Sequence, residues 1–123
     1  MICGFVLSIV FAVFAQDKKK VDPCADPQSQ AEMNICARNK YQAADAELNQ
    51  VYRKLVSILD NEEKAQLKDA QTAWLKYRDA NCSFVADQFK GGSMRPMVAG
   101  LCLADMTKNR TIELRGQIKD RDQ

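Results

Sequence analysis

The sequence contains no histidine. This excludes a Ser-His-Asp triad, a Cys-His pair and histidine-based metal sites. Paired cysteines of the CxxC type are absent as well, which argues against zinc. The remaining acids fit the surfaces of amphipathic helices better than a convergent catalytic pair. They are Asp45, Glu47, Asp69, Asp79 and Asp105. The residue types therefore predict a protein that is not an enzyme and that needs no cofactor.

Glycine and proline are missing between Pro27 and Gly91. Ser29 and Glu32 form a capping box, which predicts that a helix begins there. Apolar residues then recur three and four positions apart as far as Ile58, so the helix extends to about Leu59. These residues are Ala37, Tyr41, Ala44, Leu48, Val51, Leu55 and Ile58. A single apolar face on so long a helix requires packing partners.

A second helix is predicted from about Glu62 to Phe89, after a cap at Asp60 or Asn61. Its apolar face is expected to contain Leu67, Ala70, Trp74, Tyr77, Phe84 and Val85. The short connection makes it antiparallel to the first helix. A third helix follows from Pro96 or Met97 to about Ile118, and residues 119–123 are expected to be loose. The predicted fold is all-α, with a long antiparallel helical hairpin plus a third helix.

The amino-terminal segment resembles an export signal rather than part of the domain. Residues 1–15 carry no charge after the amino terminus and end Val13-Phe14-Ala15, which fits a signal-peptide cleavage site after a small residue. The apolar run is too short for the roughly 20 residues of a membrane span. We therefore expect a periplasmic or secreted chain with no integral membrane segment, an extended arm at residues 16–28 and the helical domain at residues 29–118.

The charge of the chain says little about its partners, because the formal net charge is only +2. A nucleic-acid-binding protein is expected to show a clustered basic face. The one basic run, at residues 18–20, lies in the arm after the cleavage site and is interpreted as a solvated tail. The composition does not favour a nucleic-acid partner.

Five cysteines are present, and loss of Cys3 with the signal leaves four. Four cysteines in an exported domain predict two disulfides with three possible connectivities. Cys82 and Cys102 lie at equal distances on either side of Gly92, so a turn at the glycines brings them together. Cys24 lies in an arm that can fold back along the first helix to Cys36. The predicted disulfides are Cys24–Cys36 and Cys82–Cys102.

The loop at residues 90–96 is the predicted contact site. Its two glycines allow an unusual backbone path, Ser93 offers a hydroxyl group, and Lys90 and Arg95 place positive charge at its flanks. The simpler alternative is a plain connection between helices.

Trp74 and Tyr77 are predicted to belong to the core, with a sugar-stacking platform as the less favoured alternative. Arg110 continues an apolar line of the third helix, and an arginine in that position usually has an acidic partner. Asp79 or Asp45 is the expected partner, in a structural ion pair.

Several motifs together resemble the LprI-type lysozyme inhibitor domain of bacterial envelope proteins. The resemblance covers nearly the whole mature chain. Its motifs are QAEMNICA at 30–37, ADAELN at 44–49 with Tyr52, AQTAWL at 70–75 with YRD at 77–79 and Cys82, GGS at 91–93, Ala99 with Cys102, and Met106, Thr107, Arg110 and Leu114.

The resemblance implies a helical envelope protein that inhibits lysozyme. The founding member is a lipoprotein, but this chain has no cysteine at the cleavage site, so membrane anchoring does not carry over. Lys90, Ser93 and Arg95 could then complement the two acidic catalytic residues of a lysozyme cleft. The alternative is a non-catalytic envelope interaction module with another protein partner.

Overall fold

The computed structural model describes residues 22–122. Three long helices account for most of them: α1 (Gln30–Ser57), α2 (Asn61–Ala86) and α3 (Arg95–Arg121), with a short 3-10 helix (Asp87–Phe89) after α2. The all-α prediction is confirmed. The proposed signal segment and the basic run at residues 18–20 lie outside the described residues.

Side-chain caps fix the starts of α1 and α2. Ser29 Oγ accepts a hydrogen bond from the backbone N–H of Glu32 at 3.1 Å, and Glu32 reaches back to the backbone N–H of Gln28 at 2.6 Å. Asp60 Oδ1 accepts from the backbone N–H of Glu63 at 2.8 Å. These bonds satisfy amide groups that have no partner within a helix, so both predicted starts are confirmed.

The short connection after α1 makes α2 antiparallel to it, and α3 then runs back parallel to α1. The starts of α1 and α3 are joined by Asn34 Nδ2, which donates to the Ser93 carbonyl at 3.2 Å. At the opposite end, Arg121 of α3 pairs with Glu63 of α2. The backbone of α3 lies closest to α1, and α2 lies farther out against α3.

Small side chains allow the close approach of α1 and α3. A Cβ atom added to Gly100 would lie 3.0 Å from the Cβ of Ala37 and 3.1 Å from its carbonyl carbon. Ala44 and Ala104 are also buried in this contact region. Farther along, larger apolar residues fill the space between the helices. This core consists of Leu48, Val51, Leu55, Leu59 and Leu114.

Both predicted disulfides are confirmed. The Cα atoms of Cys24 and Cys36 are 4.8 Å apart, and those of Cys82 and Cys102 are 5.6 Å apart. The first disulfide holds the amino-terminal segment against α1. The second joins the last turns of α2 to the first turns of α3, so it braces the loop between them.

The predicted apolar face of α2 is wrong at Ala70, Tyr77 and Phe84, which are all exposed. Tyr77 is 62% exposed and Phe84 is 78% exposed. Cys82 must face Cys102, which fixes the rotation of α2, and Tyr77 lies about 140° around the helix from Cys82. The residues that are buried instead are Gln71, Arg78, Cys82 and Ala86. Ile58, at the end of α1, is likewise exposed, and its neighbour Leu59 is buried.

The third helix is longer than predicted. It continues through Gly116 to Arg121, so most of the expected loose tail is helical. Arg121 explains the extension, because its guanidinium contacts both Glu63 on α2 and Gln117 one turn earlier. Thr107 and Thr111, which are weak helix formers, are buried within α3.

Candidate partner-binding site

The loop between Phe89 and Arg95 is a tight, hydrogen-bonded turn. The backbone N–H of Gly92 donates to the Phe89 carbonyl at 2.9 Å, and the N–H of Lys90 donates to the Asp87 carbonyl at 3.1 Å. Gly91 has a φ of 80°, a left-handed conformation that favours glycine. The two glycines therefore fix the path of the loop.

Side-chain contacts to Asp87 and Asn34, which lie outside the loop, hold it from both sides. Arg95 directs Nε and Nη2 to the same oxygen of Asp87, each at 2.9 Å. Asn34 of α1 binds the Ser93 carbonyl. Below these contacts, the Cys82–Cys102 disulfide joins the flanking helices. The loop is thus attached to all three helices.

The three residues predicted to bind a partner lie together in this loop but have different surroundings. Lys90 and Ser93 are exposed, and Lys90 forms no ion pair within residues 22–122. Arg95 is half-buried and is engaged by Asp87. Lys90 and Ser93 are therefore available to a partner, whereas Arg95 holds the loop in place.

Sequence reasoning missed two kinds of neighbour at this end of the molecule. Phe89 and Met94, at either end of the loop, are partly exposed apolar residues, at 36% and 39%. Arg38 is exposed in a groove of about 290 Å³ between α1 and α3, whose wall includes Pro96. For Phe89 and Met94, the only signal in the sequence was their position as apolar residues beside glycines. For Arg38, the neighbouring sequence gives no signal that it lies at this end of the molecule.

The predicted ion pair between Arg110 and Asp79 or Asp45 is wrong. Arg110 binds Glu113 one turn along its own helix at 2.8 Å, and its Nε donates to Gln71 Oε1 at 3.0 Å. Asp79 instead binds its neighbour Arg78 at 2.9 Å. Arg110 therefore has one partner on its own helix and one on α2, and neither is the predicted aspartate.

Arg78 is the central polar residue of this region. It is 5% exposed, and its Nη1 donates to Thr107 Oγ1 at 3.3 Å. Its guanidinium carbon lies 5.3 Å from the ring centroids of both Tyr41 and Trp74. Arg110 approaches the Trp74 ring as well, at 5.9 Å. Trp74 is therefore a structural contact between helices, with cations near its ring.

Within residues 22–122, no cluster of three or more His, Cys, Asp or Glu side chains is arranged to hold a metal ion. None of the helices in this part of the chain combines the length and apolar character needed to cross a bilayer. The two disulfides are typical of proteins outside the reducing cytoplasm.

Comparison with known proteins agrees with the resemblance seen in the motifs. The family model described as lysozyme inhibitor LprI matches residues 23–114. An uncharacterized protein of Rhizobium meliloti (strain 1021) is 41% identical over 105 residues, which cover 75% of this chain and 76% of the relative. No solved structure gives a significant match. The family match includes α1, α2, most of α3 and both disulfides, and the chain therefore belongs to the LprI lysozyme inhibitor family.

Proposed function

We propose that this protein binds lysozyme and blocks its catalytic cleft with the loop at residues 90–96. The observation that carries the proposal is the combination of a fixed backbone and free side chains in this loop. Hydrogen bonds to Asp87 and from Asn34 hold the loop in place, while the side chains of Lys90 and Ser93 are exposed to solvent. A rigid loop loses little conformational freedom on binding.

The chemistry of the loop suits a lysozyme cleft. Two carboxyl groups perform glycoside hydrolysis there, so an inserted cation is attracted to the site. Lys90 supplies that charge, and Ser93 supplies a hydrogen-bonding group beside it. Phe89 and Met94 provide apolar surface that can be desolvated on contact. Arg95 acts through Asp87 to position the loop.

The test is lysis of peptidoglycan-bearing cells by lysozyme in the presence of the purified, oxidised protein. We expect dose-dependent protection that is lost when the disulfides are reduced. Lys90→Glu should weaken binding by at least about tenfold, since it places a negative charge opposite the catalytic acids. Lys108→Glu is the matched control, because Lys108 is an exposed lysine on α3, away from the loop.

Two results would contradict the proposal. The first is an absence of protection at large molar excess against lysozymes of several types. The second is equal inhibition by the wild type, Lys90→Glu and Lys108→Glu. Arg95→Glu separates positioning from contact: it repels Asp87, so it should weaken inhibition and also increase amide hydrogen exchange in residues 90–94.

The family and the disulfides indicate an extracytoplasmic protein. We further propose that it is periplasmic or secreted after removal of residues 1–15, which amino-terminal sequencing of the exported protein would test. The second candidate function is a non-catalytic envelope interaction module. The outward-facing Tyr77 and Phe84 favour this alternative, because large exposed aromatic residues mark contact surfaces.

A further inference from the structure

Five apolar residues form a line along the outer face of α2. They are spaced three and four apart, and each is exposed. We call this line the outer stripe: Ala70, Ala73, Tyr77, Ala80 and Phe84. Spacing of this kind is what a helix uses to pack against another helix. Within the described residues, no helix covers it.

The two aromatic side chains dominate the outer stripe. Tyr77 is 62% exposed and Phe84 is 78% exposed. They lie two turns apart, with alanines between and beside them. Large and small side chains therefore follow one another along the stripe. A helix that packs against it must place small side chains opposite the aromatic rings and large side chains opposite the alanines.

A second copy of α2 offers that complement. We propose that two copies of this protein associate through their outer stripes, with the two α2 helices antiparallel. A twofold axis between residues 78 and 79 places Tyr77 opposite Ala80 of the second copy and Phe84 opposite Ala73. Each aromatic ring then fills the space beside an alanine. A parallel pairing would instead set Tyr77 against Tyr77 and leave gaps between the alanines.

The charged residues beside the stripe are compatible with this pairing. Lys76 lies level with Asn81 of the second copy and close to its Ser83, and neither of these residues is charged. Asp69 comes near Asp87, whose charge is already balanced within its own chain by Arg95. No unbalanced pair of like charges meets at the centre of the contact.

The available area fits a weak dimer. At about 200 Å² for a whole aromatic side chain, the exposed parts of Tyr77 and Phe84 amount to roughly 280 Å² per chain. The alanines and flanking side chains raise the total over both chains to on the order of 1,000 Å², the lower bound for a specific interface. The association is therefore expected to be reversible and to depend on protein concentration. This proposal extends the second candidate function, the envelope interaction module, because it names a second copy of the chain as the partner. It does not depend on lysozyme binding.

Sedimentation equilibrium of the oxidised protein over a concentration series up to roughly 1 mM tests the proposal. We expect a monomer–dimer equilibrium. Tyr77→Glu should leave a monomer at all concentrations, because two charges would be buried at the centre of the contact. Ile112→Glu is the matched control: Ile112 is 65% exposed on α3, outside the outer stripe, and its replacement should leave the dimer unchanged.

Ala73→Trp distinguishes specific pairing of the two stripes from non-specific hydrophobic association. It adds apolar surface but fills the space that Phe84 of the second copy needs, so dimerisation should weaken by at least about tenfold. A wild type that remains monomeric throughout, an Ile112→Glu defect equal to that of Tyr77→Glu, or stronger association of Ala73→Trp would each overturn the proposal. The lysis assay on Tyr77→Glu is independent, since this change leaves the loop at residues 90–96 intact.

Discussion

The contact of α1 with α3 and the contact of α2 with α3 are built differently. Between α1 and α3, Ala37 and Gly100 allow the backbones to approach closely. Between α2 and α3, beyond the Cys82–Cys102 disulfide, long polar side chains join the helices, with Arg78 reaching Thr107 and Arg110 reaching Gln71. The first contact depends on shape and apolar burial, and the second depends on hydrogen bonds whose partners must all be present. The two should therefore respond differently to mutation.

The largest effect is expected in the apolar core beside α1. Leu48 is 1% exposed and belongs to the cluster with Leu55 and Leu114. Leu48→Ala should lower the free energy of unfolding by about 2–5 kcal/mol, because it removes buried surface and leaves a cavity. Denaturant unfolding of the dilute monomer measures this change.

Tyr77→Ala is the control from α2. Since Tyr77 is mostly exposed, the loss should stay within about 0.5 kcal/mol although the side chain is larger than leucine. Equal losses for the two variants would show that Tyr77 packs in the core in solution, and the rotation of α2 described above would then be wrong.

A smaller effect is expected at the polar contact. Arg78→Met keeps much of the side-chain volume but removes the hydrogen bond to Thr107, the ion pair with Asp79 and the charge near two aromatic rings. We expect a loss of about 2 kcal/mol, within the range for hydrogen bonds made by charged groups.

Arg78→Lys should restore less than half of that stability, because lysine lacks the planar fork that serves Thr107 and Asp79 together. Both variants are compared by denaturant unfolding. If Arg78→Met matches the wild type, the contribution of Arg78 comes from packing of its aliphatic stem rather than from its charge.

The difference between the two contacts also explains what the sequence could predict. Along α1, the buried residues are aliphatic or small, so their spacing identified Ala37, Ala44, Leu48, Val51 and Leu55. Along α2, two polar residues are buried, so a pattern based on hydrophobicity selected the aromatic residues beside them. The predicted Cys82–Cys102 disulfide already constrained the rotation of α2, but the partners of Gln71 and Arg78 across the fold are contained in no local pattern.

The candidate site was predictable to a similar degree. Glycines and charges identified the loop at residues 90–96, because these residue types determine local backbone behaviour. The ion pair between Asp87 and Arg95 could have been predicted from the sequence, because the two residues lie only eight positions apart at the ends of the loop. The bond from Asn34 to Ser93 was not, because it joins residues 59 positions apart. The partner of Arg110 likewise depended on how α3 is rotated.

The smallest effect is expected where α2 begins and α3 ends. Arg121 contacts Glu63 Oε2 through Nε and Nη2, each at 3.2 Å, and both side chains are more than a third exposed. Exposed ion pairs contribute about 0–1 kcal/mol and weaken as salt screens them. A double-mutant cycle of Arg121→Ala and Glu63→Ala should give a coupling energy in that range, falling toward zero near 1 M salt.

Glu62→Ala in place of Glu63→Ala is the control for this cycle, because Glu62 is an exposed neighbouring acid without an ion pair in the described structure. Amide exchange in the last turn of α3 should increase in Arg121→Ala while the core of α3 is unaffected. A coupling energy of about 2 kcal/mol or more that persists in high salt would mean that this end of the α2–α3 contact is a rigid polar contact like the one at Arg78. Strong polar contacts would then extend to the start of α2, instead of being confined to the region around Gln71 and Arg78.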